Sequence, residues 1–345
     1  MGNQKTKIDE IDTRILKTLT KDARTTFTQI ANDLKISIEN TRIRYKNLKK
    51  TGIITGATTQ ILPSAIGINC SGLIRIKTSQ QKEETVQEYL NQQPYILATW
   101  KNTIEYNLTT FFALPNLKSY SIIMSNLKNK QDITALTSQI FSNQPYYEHP
   151  QNLLITPVDE TNNQKTPYDK KSSPKPQDQI KPANKKNFIQ TIELGQMNKT
   201  NRQIAKTLVN NARTPFSKIA KQHKISINKV KRTYQKLNKT LFGKSTITVN
   251  FRKLGYDSIA QISVELKSGI NLKKLYNKML QVPNVVTLCK IINENNLLII
   301  VPLKTFRDLF EIRKQLLEMD EVKKIEDSIV EPFPSWPPNF FGVLI

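Results

Sequence analysis

ARTTFTQIANDLKISIENTRIRYKNLKKT, residues 23–51, aligns without a gap on ARTPFSKIAKQHKISINKVKRTYQKLNKT, residues 212–240, with 14 of 29 positions identical. The shared letters are Ala-Arg-Thr, Phe, Ile-Ala, Lys-Ile-Ser-Ile, Tyr, Leu and Lys-Thr. With a one-residue slip the match continues to Ile66-Gly67 against Leu254-Gly255. Both copies then enter a strand-like run, CSGLIRIKT in the first and IAQISVELK in the second. Self-similarity at a fixed offset is the mark of an internal repeat, so the chain reads as two copies of a unit of about 140 residues.

Each repeated segment carries helix punctuation. Ile8, Ile11, Ile15, Leu16 and Leu19 recur at helical spacing and predict a first helix over 9–21. Thr26 can cap a short second helix, Phe27 to Leu34, and Lys35-Ile36 makes a tight turn. Ser37 then caps a third helix that reaches Thr51 and stops at Gly52. Two helices joined by so short a turn, behind a supporting helix, form a helix-turn-helix. On the third helix Ile38, Thr41, Tyr45 and Leu48 share one arc and are expected in the core. Ile227, Val230, Tyr234 and Leu237 are their counterparts.

The other side of that helix is basic and amide-rich. In copy one the expected DNA-binding residues are Ser37, Asn40, Arg42, Ile43, Arg44, Lys46 and Asn47. In copy two they are Ser226, Asn228, Lys229, Lys231, Arg232, Gln235 and Lys236. Arg, Lys, Asn and Gln are the side chains whose donors and acceptors pair with base edges in a major groove. The two faces differ, with Ile43 against Arg232, Lys46 against Gln235 and Arg44 against Thr233, so unlike half-sites are expected.

Charge follows the same division. The net charge is +24, and residues 1–56 hold 12 Lys/Arg against 6 Asp/Glu. Residues 188–246 hold 13 against 1, whereas residues 257–331 balance at 11 against 11. A polyanion partner explains cations gathered in two segments, because clustered Lys/Arg release counterions from phosphates. Double-stranded DNA is the expected partner.

After each third helix a β-prone stretch, 54–63 and 246–252, suggests a wing or a connecting strand. The remainder reads strand, helix, strand, strand, helix, strand. Copy two places these at 259–267, 270–281, 285–292, 296–302, 304–318 and 322–330. Copy one places them at 70–77, 80–92, 95–101, 105–113, 116–128 and 132–141. A βαββαβ order implies an antiparallel sheet with both helices on one face, so the fold class is α+β. The expected organisation is winged helix-turn-helix over 1–62, βαββαβ over 63–150, a flexible basic linker over 151–187, winged helix-turn-helix over 188–252, and βαββαβ with a Pro-rich tail over 253–345.

The series IDEIDTRILKTLTKDAR, continued to Ile54 and followed by a ferredoxin-like half, resembles the Lrp/AsnC regulators. The resemblance leaves out the linker and the tail EPFPSWPPNFFGVLI. It implies DNA-binding dimers joined through βαββαβ domains, often gathered into rings and tuned by amino acids. Self-association is therefore expected through these domains, as a pseudo-dimer within the chain or as a homodimer. Copy two departs from the pattern, with Asn198, Asn201 and Asn211 where copy one has Asp9, Asp12 and Asp22. The turns Lys101–Glu105 and Asn293–Asn296 lack the Gly-x-x-Asp that effector-binding relatives carry, so no amino-acid effector is expected.

No catalytic, cofactor-binding or metal residue is expected, and the chain is read as not being an enzyme. Siroheme decarboxylases, which resemble the same fold, are the catalytic alternative. That chemistry needs His and Arg around a tetrapyrrole, and this chain has only His149 and His223. Two isolated His and two isolated Cys, Cys70 and Cys289, give no metal-ligand spacing. An architectural DNA binder of low sequence preference is the other alternative. With no apolar run long enough for a membrane helix and no signal segment, a cytoplasmic, nucleoid-associated protein is expected.

Overall fold

The computed structural model describes residues 8–102, 105–142, 147–148, 150–157, 197–292 and 296–345. In the first half the helices α1 (Glu10–Lys21), α2 (Phe27–Leu34) and α3 (Ile38–Lys50) lead into β1 (Ile54–Ile61) and β2 (Cys70–Lys77). There follow α4 (Glu83–Gln92), β3 (Ile96–Lys101), β4 (Leu108–Leu114), α5 (Leu117–Lys128), β5 (Ala135–Ile140) and the two-residue β6 (Tyr147–Glu148). The second half repeats the order with α6 (Lys199–Asn210), α7 (Phe216–His223), α8 (Ile227–Thr240), β7 (Phe242–Val249) and β8 (Ser258–Leu266). It ends with α9 (Leu272–Met279), β9 (Thr287–Lys290), β10 (Asn296–Leu303), α10 (Phe306–Leu317) and β11 (Val322–Val330). The α+β class with two copies of the unit holds.

The caps fall where side-chain chemistry puts them. Asp9 accepts the Asp12 N–H at 2.8 Å and Asp12 reaches back to the Asp9 N–H, a reciprocal cap that satisfies two orphan donors of α1. Thr26 and Ser37 cap α2 and α3, and Ser226 caps α8. Between the paired helices Lys35 and Lys224 adopt left-handed backbone, φ 55° and 53°, which reverses the chain within a few residues. Ile38 and Ile227 are not in the core. They are 38% and 44% exposed at the first turn of α3 and α8, so the inner arc reduces to Thr41, Tyr45 and Leu48, and to Val230, Tyr234 and Leu237.

The stretch after each third helix is a connecting strand: β1 pairs antiparallel with β7 from the other half. This ribbon binds the two helical units about a pseudo-two-fold axis, and its hydrogen bonds come in matched pairs. Ala23 donates to the Ser245 carbonyl and Ala212 to the Ala57 carbonyl. The Thr58 hydroxyl donates to the Val209 carbonyl at 2.7 Å, as Thr246 does to that of Thr20 at 3.0 Å.

The first sheet runs β3-β4-β2-β5 and the second β11-β8-β10-β9-β6, so β6 from the first half closes an edge of the second sheet. Both are antiparallel and follow the predicted βαββαβ orders closely. Ile74, Ile76, Val86 and Leu90 are buried in the first unit, and Ile262, Val264, Leu275 and Leu316 in the second. The opposite faces meet inside the chain: Arg75 and Gln139 both donate to the Ser263 hydroxyl, at 2.9 and 3.2 Å. The two βαββαβ units thus pair within one polypeptide.

Two segments that sequence reading set apart are packed. Residues 151–157, expected to open the linker, bury Leu153 and Ile155. Residues 158–187 of the expected linker, His149, and the centres of the turns at 103–104 and 293–295 lie outside the described residues. The Pro-rich tail is a wedge. Trp336 bridges to Val249 through paired backbone hydrogen bonds of 2.7 and 2.8 Å, stacks on Phe251, and brings Phe340 and Phe341 edge-on to Phe111. Burying aromatic side chains is among the largest apolar contributions available to a chain, which is why so proline-rich a stretch is held. A cavity of about 670 Å³ remains between β1, α4, β3, the end of α6 and this tail. Cys70 and Cys289 are buried and unbridged, and burial pushes the Cys70 thiol up to about 11.

Candidate nucleic-acid interface

The candidate site consists of the outer faces of α3 and α8. In copy two the structure leaves Ser226, Asn228, Lys229, Lys231, Arg232, Gln235 and Lys236 exposed, on a helix with no acidic residue. In copy one Ser37, Arg42, Ile43, Lys46 and Asn47 are exposed, with Ile43 at 48%. Ser37 and Ser226 are occupied as caps, each accepting the N–H three residues on, at 3.0 and 3.2 Å. Arg42 faces Glu39 at 3.5 Å, an exposed pair that leaves its guanidinium free to exchange partners.

Arg44 is placed differently from its expected role. Its guanidinium lies 2.6 Å from Asp9 and 3.0 Å from Asp12, and its Nε donates to Asn40 Oδ1 at 3.1 Å. It clamps α3 to the start of α1 and engages the Asn40 Oδ1, leaving both side chains half-buried. Helical spacing puts Arg44 on the flank of the outer face, but the acids that claim it are more than thirty positions away. The signal was present in copy two, where Asn198, Asn201 and Thr233 replace all three partners together.

Burial works to raise the Asp9 carboxyl, yet the Asp12 N–H and the Arg44 hydrogen bond and charge outweigh it and hold Asp9 below its usual range. Asp12, more buried and beside the Asp9 charge, is raised instead. For this coupled trio the direction that stands is the Asp9–Arg44 pair, given its short contact. A carboxyl depressed on folding adds stability above its unfolded pKa and loses it as pH falls through the folded value. Arg44→Gln is therefore expected to cost about 1–2 kcal/mol at neutral pH, discounted for the half-exposed Asp9. The cost should fade as acid titrates Asp9, and urea denaturation at pH 7 and pH 3 checks both.

Sequence reading missed what sets the two faces relative to each other. The Arg24 guanidinium crosses the pseudo-two-fold to donate to the Ala212 carbonyl and lies over the rings of Phe216 and Tyr234, 4.3 and 5.1 Å from their centroids. Arg213 reciprocates, donating to the carbonyls of Ala23 and Thr25 and lying over Phe27 and Tyr45 at 4.6 and 5.0 Å. Tyr45 and Tyr234 belong to α3 and α8 themselves, so each candidate reading helix is gripped by the other unit. The repeated Ala-Arg-Thr was the visible trace of this.

Residues 8–55 match the winged helix-turn-helix DNA-binding family. The HTH-type transcriptional regulator LrpA of Pyrococcus horikoshii is 33% identical over 125 residues, 36% of this chain and 89% of that protein. The chain belongs to the Lrp/AsnC family. Ptr1, another HTH-type transcriptional regulator of the family's type, from Methanocaldococcus jannaschii, is 30% identical over 112 residues, 32% of this chain and 76% of its own. A likeness over the whole length comes from solved structures. The siroheme decarboxylase NirDL, in co-complex with an iron-uroporphyrin III analogue, covers 93% of this Lrp/AsnC chain and 91% of its own, with a TM-score of 0.57 and 15% identity.

That match corrects one expectation. The fold covering the full chain is one that an enzyme uses, so a two-unit Lrp/AsnC architecture does not separate regulator from catalyst, and the reading of the chain as no enzyme is overturned. Among the described residues no group of three or more His, Cys, Asp or Glu is set to hold a metal. The one described histidine, His223 at the end of α7, shares a 3.1 Å hydrogen bond with Thr207 of α6. Among them, too, no helix is long and apolar enough to cross a membrane.

Proposed function

We propose that the chain is a transcriptional regulator that binds double-stranded DNA with α3 and α8 together, as an asymmetric pair produced by tandem duplication. The observation that carries this is the acid-free outer face of α8, which presents Lys229, Arg232, Gln235 and Lys236 on a helix fixed across the ribbon to its counterpart. Arg and Gln are suited to guanine and adenine edges, and Lys to phosphate. Ile43 occupies the place of Arg232 in copy one and offers apolar contact to a thymine methyl, which makes the preferred half-sites unlike. The contributing residues are Ser37, Arg42, Ile43, Lys46 and Asn47 with Ser226, Asn228, Lys229, Lys231, Arg232, Gln235 and Lys236. Arg44 and Asn40 are assigned to holding α3 in place. The units divide at 1–62 with 63–150, and at 188–252 with 253–345.

Competition of chromosomal fragments against bulk DNA tests the reading. A best fragment bound about 10³-fold or more tighter than bulk DNA supports a regulator. A ratio near one replaces it with an architectural binder.

A second reading is favoured by the full-length likeness to NirDL and by the 670 Å³ cavity: a tetrapyrrole-binding enzyme. The cavity brings one lysine, Lys101, and one acid, Glu331, both already in ion pairs, and His223 does not line it. That lining is a poor match for a ring carrying several carboxylates. Titration with iron-uroporphyrin III decides it: a saturable shift of the porphyrin absorbance favours the enzyme, and an unshifted spectrum removes it.

A further inference from the structure

Protein interiors rarely leave voids much larger than a water, and ligand sites run from about 300 to 1,000 Å³. The cavity of about 670 Å³ beside β1 falls in that range, and its walls come from several separate parts of the chain. In the second half the segment after β6 packs against the end of α9. There Asn152 donates to the carbonyls of Leu280 and Val285, at 3.3 and 3.2 Å, beyond α9. The Leu154 N–H donates to Asn284 Oδ1 at 2.8 Å, and the Tyr256 hydroxyl to the Leu154 carbonyl at 2.6 Å. The chain after β11 follows the ribbon, held by Asn339 on Thr58 and Thr59 at 2.7 Å, beside the space lined by α4 and β3.

The lining says what would fit. Lys101 is paired with Glu83 at 2.9 Å, and Glu331 is paired with Arg252, so the lining's charges already have counter-ions. The other polar lining groups are neutral: the amides of Gln87, Asn91 and Asn210, and a hydroxyl cluster in which Thr55 bonds Thr248 at 2.8 Å and Ser335 at 2.6 Å. Flat apolar walls come from Trp100, Phe333 and the tail prolines. A charged ligand would lose water here without gaining a partner, which is costly. Side-chain amides present donor and acceptor together and match the edge of a heterocycle.

We propose that this cavity binds an uncharged planar heterocycle of nucleoside size, seated against Trp100 with its polar edge toward Gln87 and Asn91. The site stands independently of the DNA-binding reading. The test is titration of the full chain with adenosine, guanosine, cytidine and uridine, against AMP and L-leucine as charged controls, following tryptophan fluorescence and melting temperature. At least one neutral nucleoside should give a saturable fluorescence change and a melting rise of a few degrees, and the charged controls neither. Trp100→Phe should lose the fluorescence change and keep the melting rise. The double variant Gln87→Leu/Asn91→Leu, melting as the parent does when empty, should lose both. No saturable response to any of the four nucleosides overturns the proposal. So does a response confined to AMP or L-leucine, or a double variant that binds as tightly as the parent.

Discussion

Replacing Arg24 and Arg213 together by alanine should lower the stability of the folded chain by roughly 3 kcal/mol, with each single change costing about 2 kcal/mol. Each guanidinium is largely buried, and burial pulls its pKa below the usual arginine value against the nearby Asp22 charge; among the described residues neither forms an ion pair with a carboxylate. What holds them is the opposite unit's backbone carbonyls and two aromatic faces apiece. Truncation strands the buried carbonyls of Ala212, Ala23 and Thr25, and an unsatisfied buried acceptor costs about 1–3 kcal/mol. Removing the guanidinium from the ring faces adds about 1 kcal/mol at each site. The two cations also repel each other, since the Arg24 charge further lowers Arg213. Removing one therefore relieves the other, and the double variant should cost less than the sum of the singles. Chemical denaturation of the four proteins measures the cycle. An unchanged midpoint in the double variant would mean that the crossing arginines do not set the pairing of the helical units.

The second large effect is on DNA. Lys229→Ala/Arg232→Ala/Lys236→Ala should weaken specific binding by about 1–3 kcal/mol through Arg232 and its base edge, and further through the two lysines and their phosphates. The phosphate part has its own signature. Each phosphate interaction removed lowers the slope of log affinity against log salt by about 0.9, so the slope should fall by about 2 for the two lysines. These side chains are exposed and make no interaction that the fold depends on, so the variant should melt like its parent. Full affinity and an unaltered salt slope would take α8 out of the interface.

The sequence carried the local structure almost completely. The caps Thr26 and Ser37, the turn at Lys35 and the twelve βαββαβ elements are legible because side-chain spacing and short-range hydrogen bonds decide them. What stayed hidden depends on residues far apart in the chain. Arg44 reads as a surface cation until α1 folds back and sets Asp9 and Asp12 beside it. Ile38 and Ile227 fit the core arc on a helical wheel, but at the first turn of α3 and α8 they lie exposed. The ribbon reads from sequence as wing or connector because a strand does not announce its partner, which here lies in the other half of the chain. The tail reads as proline-rich punctuation, and only the fold shows Trp336 and Phe340 wedged between ribbon and sheets. The outward cations of α3 and α8 were legible from charge alone. The crossing arginines that orient them were not, although the repeated Ala-Arg-Thr had marked the place.

Binding-site selection from a random duplex library with the intact chain tests the central claim most directly. The pseudo-two-fold pairing of α3 and α8 predicts one bipartite motif, with two unlike half-sites spaced by about one helical turn, roughly 10 base pairs, or a multiple of it. The half-site that disappears on changing Arg232 to alanine should be the one richer in guanine. A library that emerges unenriched, or one that yields a motif indifferent to Arg232 and to Ile43, would contradict it.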